Sequence, residues 1–249
     1  MCSHARASHI GSSLSVIDIL AVLYSGVANV SPPTVADPRR DVVLLSKGHA
    51  AAGLYAVLAH CDFFPLTWLD RYCDDGAPLG GHVSMGVPGV ELSTGSLGHA
   101  LPFAVGHALT AAREGSARRT FVVLSDGECD EGSNWEAALL AGHHALDRLT
   151  VVIDRNGLQS LTTTELTVRL EPLGDKWRAF GWRVVEVDGH DHDGLRRALS
   201  AQPGRPLVVV ANTVKGRGVD FMENEVPWHY KSPDQDELAS ALRQLGGVT

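Results

Sequence analysis

Cysteine is scarce in this chain. The 249 residues hold four, Cys2, Cys61, Cys73 and Cys129. No two form a Cys-x-x-Cys pair, which argues against both a zinc site and a disulfide framework. The reducing cytoplasm is therefore the expected compartment. No apolar run approaches membrane-spanning length, and the N-terminus lacks the charged, apolar and small-residue succession of a signal peptide. The expectation is a chain with no membrane partner. Positive charge is also short, with 21 Lys and Arg against 29 Asp and Glu, a net charge of −8. That balance argues against nucleic acid as the main partner. There is no internal repeat and no low-complexity segment.

What is present is ordinary for a soluble globular protein: 44% hydrophobic and 20% charged residues. The length suits one large α/β domain with a full core, spanning 1–249, with 212–249 as a C-terminal loop and helix extension. The most informative stretch is 121–160, FVVLSDGECDEGSNWEAALLAGHHALDRLTVVIDRNGLQS. Its apolar run 121–124 reads as a buried strand, and Ser125-Asp126-Gly127 breaks it with a turn. Residues 134–146 carry alanine and leucine at helical spacing after Gly132-Ser133. A second apolar run, 149–153, ends in Asp154-Arg155-Asn156-Gly157. A strand–helix–strand crossover of this length is right-handed and parallel. Both strands then finish at one sheet edge, which should bring Asp126 and Asn156 side by side. A carboxylate and an amide oxygen there suit a hard cation such as Mg²⁺, which keeps waters and takes phosphate oxygens as further ligands. Taken singly, Asp-Gly and Asn-Gly also read as mere turn residues.

The rest of the chain alternates in the same way. Helices are predicted over 16–24, 50–59, 66–72, 99–112, 172–180, 194–201 and 233–245, and strands over 41–45, 182–187 and 207–211. Residues 76–94 are rich in Gly and Pro and form a long loop, a length that inside a compact domain is usually functional or poorly ordered. Residues 212–232 are irregular. Such alternation implies an open parallel sheet with helices on both faces. Ligands then bind beyond the carboxyl ends of the strands. His49, Asp126, Asn156 and the loop ending at His229 all follow predicted strands, so they should converge.

Asp126-Gly127, then twenty-eight residues, then Asn156 is similar to the thiamine diphosphate signature of transketolase-like enzymes. The family pattern begins Gly-Asp-Gly and often ends Asn-Asn; here Ser125 and Arg155 stand at two of those positions. Other segments resemble the N-terminal half of transketolase in order: Ser8-His9-Ile10-Gly11, Leu45-Ser46-Lys47-Gly48-His49, Gly81-His82, Thr94-Gly95-Ser96-Leu97-Gly98, Asp188-Gly189-His190-Asp191 and Thr213-Val214-Lys215-Gly216-Arg217-Gly218. Phe221-Met222-Glu223-Asn224 with Trp228-His229 looks especially like split transketolases, whose halves are separate chains. The resemblance implies the thiamine-diphosphate-binding fold of the diphosphate half. It implies that Asp126, Asn156 and the Leu158 carbonyl hold Mg²⁺ (or Ca²⁺ or Mn²⁺), while Gly127 and the Glu128 backbone meet the diphosphate. His49 and His229 would donate hydrogen bonds near the diphosphate, and the backbone of Ser96, Leu97 and Gly98 would lie near the cofactor rings. His9 and His82 would face sugar hydroxyls and help shuttle protons. Glu131 matches a family carboxylate near the dimer interface; it also reads as a first-turn acid favoured by a helix dipole.

Several residues stay open. Lys215 and Arg217 are phosphate-facing or structural, and His143-His144 is partner-facing or core. His190-Asp191-His192 resembles a metal cluster but more simply caps the following helix. His99 stands where the family usually has glutamine. In the family, a glutamate on a second, pyrimidine-binding domain activates the cofactor, and no second αβ domain follows Thr249. The resemblance therefore implies half of a site, completed by a separate C-terminal subunit in an α₂β₂ assembly. The implied reaction transfers a two-carbon ketol unit from a ketose or ketose phosphate to an aldehyde acceptor. Two alternatives stand beside it. One is a specialised enzyme that passes the unit to a carrier-protein thiol or lipoyl-type group. The other is a non-catalytic subunit that keeps the fold and only binds a partner.

Overall fold

The computed structural model describes residues 1–200 and 204–246. Its strands are β1 (Val42–Leu45), β2 (Thr120–Ser125), β3 (Leu149–Arg155), β4 (Arg183–Asp188) and β5 (Leu207–Asn212). They form one sheet in the order β1-β2-β3-β5-β4, and every neighbouring pair is parallel. The helices are α1 (Cys2–Ala5), α2 (Ile10–Val22), α3 (Ala51–His60), α4 (Ala100–Arg113), α5 (Gly132–His143), α6 (Thr164–Thr167), α7 (Leu173–Ala179), α8 (His192–Leu199) and α9 (Gln235–Gln244).

The apolar strands are buried on both faces because helices cover both, as a parallel sheet requires. Successive side chains alternate between two cores. Val43, Leu45, Phe121, Val123 and Val152 pack with residues of α2, α3 and α8. Val42, Leu44, Val122, Leu124, Val151 and Ile153 pack with residues of α4, α5 and α7. Full burial contributes about 1.5–3 kcal/mol for each such side chain, so the central strands carry much of the stability. The edge strand β4 leaves Arg183, Glu186 and Asp188 exposed, charges that discourage a further strand from adding there.

The N-terminal helix departs from expectation in two ways. It starts at Ile10, six residues before the predicted start, because Gly11-Ser12-Ser13 is helical and inward-facing. A side chain on Gly53 of α3 would come within 3.2 Å of the Ser13 carbonyl. Small residues let two helices approach closely here, and being weak helix formers they left the expected start too late. Secondly, the helical run Ile10–Val27 is long and apolar enough to cross a membrane by length and composition, with mean hydropathy 1.7 over 18 residues. The expected absence of any such run does not hold. Val16, Ile19, Leu20 and Leu23 of this run are wholly buried in the core, so here its apolar residues pack inside the fold.

Smaller corrections follow the same logic. Leu66–Arg71 is a 3₁₀ helix after Pro65, not an α-helix, a common form for short connectors. α8 starts at His192 with Asp191 as its cap; the predicted end at Ala201 lies outside the described residues. α9 is capped by Asp234, whose carboxylate accepts from Glu237 N at 2.9 Å while the Glu237 carboxylate accepts from Asp234 N at 3.0 Å. This reciprocal cap satisfies two otherwise free amides.

Candidate functional site

β2 and β3 end level, with Ser125 paired to Asp154, so the next residues meet at the sheet edge. Asp126 is 1% exposed. Its Oδ2 accepts from Gly157 N at 2.6 Å and from Arg155 Nη1 at 3.1 Å, and Oδ1 accepts from Gly127 N at 2.8 Å. Asn156 Oδ1 accepts from Leu158 N at 3.1 Å. The Leu158 carbonyl accepts no hydrogen bond among the described residues. Asp126, Gly127, Asn156 and Leu158 all line one cavity of about 290 Å³. Burial, and then the neighbouring Asp154 carboxylate, raise the Asp126 pKa; a cation at this point would relieve that cost. Three oxygen donors of these kinds fit a hard divalent ion. Among the described residues no group of three or more His, Cys, Asp or Glu is placed to hold a metal. Any ion here would therefore need further oxygens from water or phosphate, the habit of Mg²⁺.

Four histidines complete the same cavity. His49 follows β1 through Gly48, where an added Cβ would collide with the Thr94 backbone. Residues 76–94 are irregular, as expected, yet tied down: Val83 N donates to Gly48 O at 3.2 Å, Thr94 Oγ1 to Leu45 O at 2.7 Å, and the Tyr55 hydroxyl to His82 O at 2.8 Å. These bonds deliver His82 to the end of β1. His9 precedes α2 with φ 72° and donates its amide to His229 O at 2.9 Å. Ring centroids lie 5.0 Å apart for His9–His49 and His9–His229, 5.7 Å for His49–His229 and 6.1 Å for His9–His82. Tyr230, 57% exposed, stands at the mouth with its ring 4.8 Å from His229.

Burial, with help from His82 and the ammonium groups of Lys215 and Lys47, lowers the His9 pKa to about 4. Burial and then Lys215 lower that of His229 to about 3, and burial and Lys47 hold His49 well below its usual value. All three are neutral at pH 7, each with one N–H and one lone pair. Lys215 Nζ lies 2.9 Å from His229 Nδ1. An ammonium only donates, so Nδ1 accepts and the His229 proton sits on Nε2. These shifts fix the sign of a pH effect. The unfolded histidines protonate near pH 6.5 while the folded ones resist, so stability is fully present above that pH and is lost as pH falls toward 4. Denaturation in urea should show stability falling between pH 7 and 5. His9→Asn with His229→Asn should flatten that slope, asparagine being tolerated at positive φ. An unchanged slope would place the acid sensitivity elsewhere.

Sequence reading missed the buried charges behind the histidines. Lys47 and Asp154, 1% and 0% exposed, form an ion pair. Asp154 also accepts from Ser15 Oγ at 2.6 Å and from Thr213 Oγ1. Burial alone would raise the Asp154 pKa, but Lys47 and the two hydroxyls outweigh it and the pKa is lowered. The only signal in the sequence was a charged residue closing an apolar strand. Lys215 is buried too, at 1% exposure, and no carboxylate lies within ion-pairing distance of it among the described residues. Burial, and then Lys47, push its pKa down to about 8. A buried ammonium without a counterion beside a cavity suits an anionic ligand, and a diphosphate is such an anion.

Residues 1–248 match the family described as transketolase, thiamine diphosphate binding domain. This chain belongs to the transketolase family. It is 45% identical over 240 residues to an apulose-4-phosphate transketolase subunit of Actinobacillus succinogenes, covering 95% of this chain and 87% of that one. It is 38% identical to a 6-deoxy-6-sulfo-D-fructose transketolase subunit of Clostridium sp. strain MSTE9, covering 95% and 88%. The transketolase of Campylobacter jejuni superimposes with a TM-score of 0.91 at 27% identity, covering 99% of this chain and 40% of that one. The chain thus spans about two-fifths of that whole transketolase. The first two relatives are each named as one subunit of a transketolase, which implies a partner chain.

The remaining transketolase positions fall into place unevenly. Leu97 and Gly95 line the cavity, whereas Ser96, Gly98, Glu128 and Glu131 do not. Gly98, at φ 81°, donates its amide to Glu128 Oε1 at 2.8 Å and accepts from Ser133 Oγ at 2.6 Å. Glu128 is wholly buried and also accepts from Ser46 Oγ, so its carboxylate ties the ends of β1 and β2 to the 96–98 segment. Its amide donates to Ser125 Oγ at 3.3 Å. Glu131 is exposed and stands beside Gly98. Arg155 pairs with Asp126, Glu165 and Glu171 at 3.1, 3.3 and 3.0 Å. His99 Nδ1 lies 2.9 Å from the Leu97 carbonyl and turns back on its own segment. His143 and His144 are exposed, which removes the core reading. Asp191 caps α8, accepting from Asp193 N at 3.1 Å, but His190 and His192 instead meet Asp18 of α2.

Proposed function

We propose that this chain is the diphosphate-binding subunit of a two-subunit transketolase that moves a two-carbon ketol unit from a ketose, usually phosphorylated, to an aldehyde. The observation that carries the reading is the shared cavity: Asp126, Asn156, Lys215 and four histidines, from separate chain segments, line it together. Asp126, the Asn156 amide oxygen and the Leu158 carbonyl would hold a divalent metal, Mg²⁺ by donor type. Gly127, the Glu128 backbone and Lys215 would face the diphosphate. Thiamine diphosphate, when bound, stabilises the carbanion that the transfer requires. His229, with its proton on Nε2, and His49 would donate to oxygens near the diphosphate. His9 and His82 would hold and pass protons at the sugar hydroxyls; His82, the most exposed of the four, is best placed to meet an entering substrate. Glu131, outside the cavity, would act at an interface between protomers.

The completing partner would be a pyrimidine-binding C-terminal subunit in an α₂β₂ complex. Exposed apolar side chains, Leu161, Leu166 and Val168 after β3 and Leu139 and Leu140 on α5, support a covering surface of the obligate kind. Free cysteines support a cytoplasmic location. The names of the similar proteins make apulose 4-phosphate the first donor to try and 6-deoxy-6-sulfo-D-fructose the second. The test is co-expression with the product of the neighbouring open reading frame, followed by a donor and acceptor screen with thiamine diphosphate and Mg²⁺. Transfer from a ketose by the pair, and none by either chain in isolation, is expected. Cofactor uptake without transfer to any aldehyde would overturn the ketol-transfer reading, and no uptake at all would leave a partner-binding module.

A further inference from the structure

Lys215 sits in the loop that leaves β5, where Gly216 and Gly218 take φ values of 80° and 88° and no strand ladder fixes the backbone. On its C-terminal side the loop is tied down, because the Lys215 carbonyl accepts from Asn224 N at 2.9 Å and Gly216 N donates to Gly11 O at 3.0 Å; the N-terminal side of the lysine is held by a different contact. The amide beside it, Val214 N, donates to His190 Nε2 at 2.9 Å. An amide only donates, so Nε2 is unprotonated and His190 carries its proton on Nδ1. That nitrogen lies 2.7 Å from Asp18 Oδ2, and it donates there. The other Asp18 oxygen meets His192 Nε2 at 2.6 Å. The His190 side chain is 11% exposed. Gly189 presses the same turn onto the loop: its amide donates to Asn212 O at 2.7 Å, and an added Cβ would overlap Thr213. Asp18 lies on α2, the helix that also carries cavity-lining Ser12 and follows His9. Capping does not account for this imidazole, because Asp191 caps α8.

We propose that Asp18, His190 and the Val214 amide form a relay that positions the loop, so that the Lys215 ammonium is held toward the diphosphate. His190 is thus a positioning residue, touching neither cofactor nor substrate. The carboxylate fixes the tautomer of the ring, and the ring fixes the amide next to the lysine. Partners of this outer kind typically change affinity by about 10–100-fold when removed. The inference rests on the reading that the cavity takes thiamine diphosphate.

The test is calorimetric titration of the co-expressed two-subunit complex with thiamine diphosphate in MgCl₂, with the melting midpoint of each unliganded variant measured beside it. His190→Phe should weaken binding by about tenfold. His190→Gln should stay within about threefold of wild type, because one amide can both accept from Val214 and donate to Asp18. In a Lys215→Met background, His190→Phe should add less than about twofold, the signature of two residues acting through one another. Binding by His190→Phe within about twofold of wild type would overturn the relay, as would a loss of equal size with Lys215 already removed. If His190→Phe does not fold, Asp18→Asn decides in its place: a loss that vanishes in the Lys215→Met background supports the relay, and no loss refutes it. No uptake by the wild-type complex would sink the cofactor reading and the relay with it, whereas normal wild-type uptake with unaffected variants sinks the relay alone.

Discussion

Asp126→Asn should leave the unliganded chain as stable as the wild type and yet weaken uptake of thiamine diphosphate with Mg²⁺ by at least about 100-fold, the upper end of what even an outer partner of a metal contributes. The two halves of this expectation have one cause. Asp126 is 1% exposed and lies close enough to Asp154 for that carboxylate to raise its pKa. Its buried charge is costly when no cation accompanies it. Asparagine keeps one oxygen for the Gly157 amide, which donates at 2.6 Å; it gives up the bond from Gly127 N, and removal of the unfavourable buried charge offsets that loss. Arg155 loses one partner but retains Glu165 and Glu171. With the cation, the same charge turns from a burden into the dominant local attraction. Thermal melts of the apo chain and calorimetry of the loaded complex check the two halves separately. Unchanged cofactor affinity would show that the cation binds elsewhere.

The fold and the convergence of several candidate-site residues were legible for different reasons. Strand ends were readable because an apolar β-branched run stops visibly at Asp126, Asn156 or Ser46, and parallel topology then requires these stops to share an edge. His49, Asp126 and Asn156 follow directly from that rule. His9 and His82 do not follow a strand; they were placed by resemblance alone, and hydrogen bonds from the 76–94 loop to the Gly48 and Leu45 carbonyls and from the Tyr55 hydroxyl to the loop, invisible to pattern reading, deliver His82. The start of α2 was misplaced because serine and glycine are weak helix formers in isolation, whereas here they are wanted for close packing against α3. Its apolar character was underrated because the run is interrupted by Asp18, whose charge is answered by His190 and His192 from across the fold. Lys47 and Asp154 escaped notice for a similar reason. A buried ion pair joins residues 107 positions apart, and neither residue alone carries a local signature.

That pair yields the second large effect. Asp154→Ala would leave the Lys47 ammonium in the core with no anion and strip an acceptor from the Ser15 and Thr213 hydroxyls. Breaking a buried pair from one side costs about 3–5 kcal/mol, a large share of the roughly 5–15 kcal/mol that holds a domain folded. Replacing both partners, Lys47→Met with Asp154→Leu, removes the stranded charge and should recover most of that loss, since apolar substitutes of similar volume for a buried pair are often neutral. Cofactor uptake should not recover with it. Lys47 lines the cavity, and the double variant removes its positive charge from a site proposed to take an anion. Urea denaturation of the three variants gives the stability cycle, and calorimetry of the assembled complex gives the binding. An Asp154→Ala variant as stable as the wild type would mean that water reaches Lys47 through the cavity, and the pair would then belong to the binding site and not to the core.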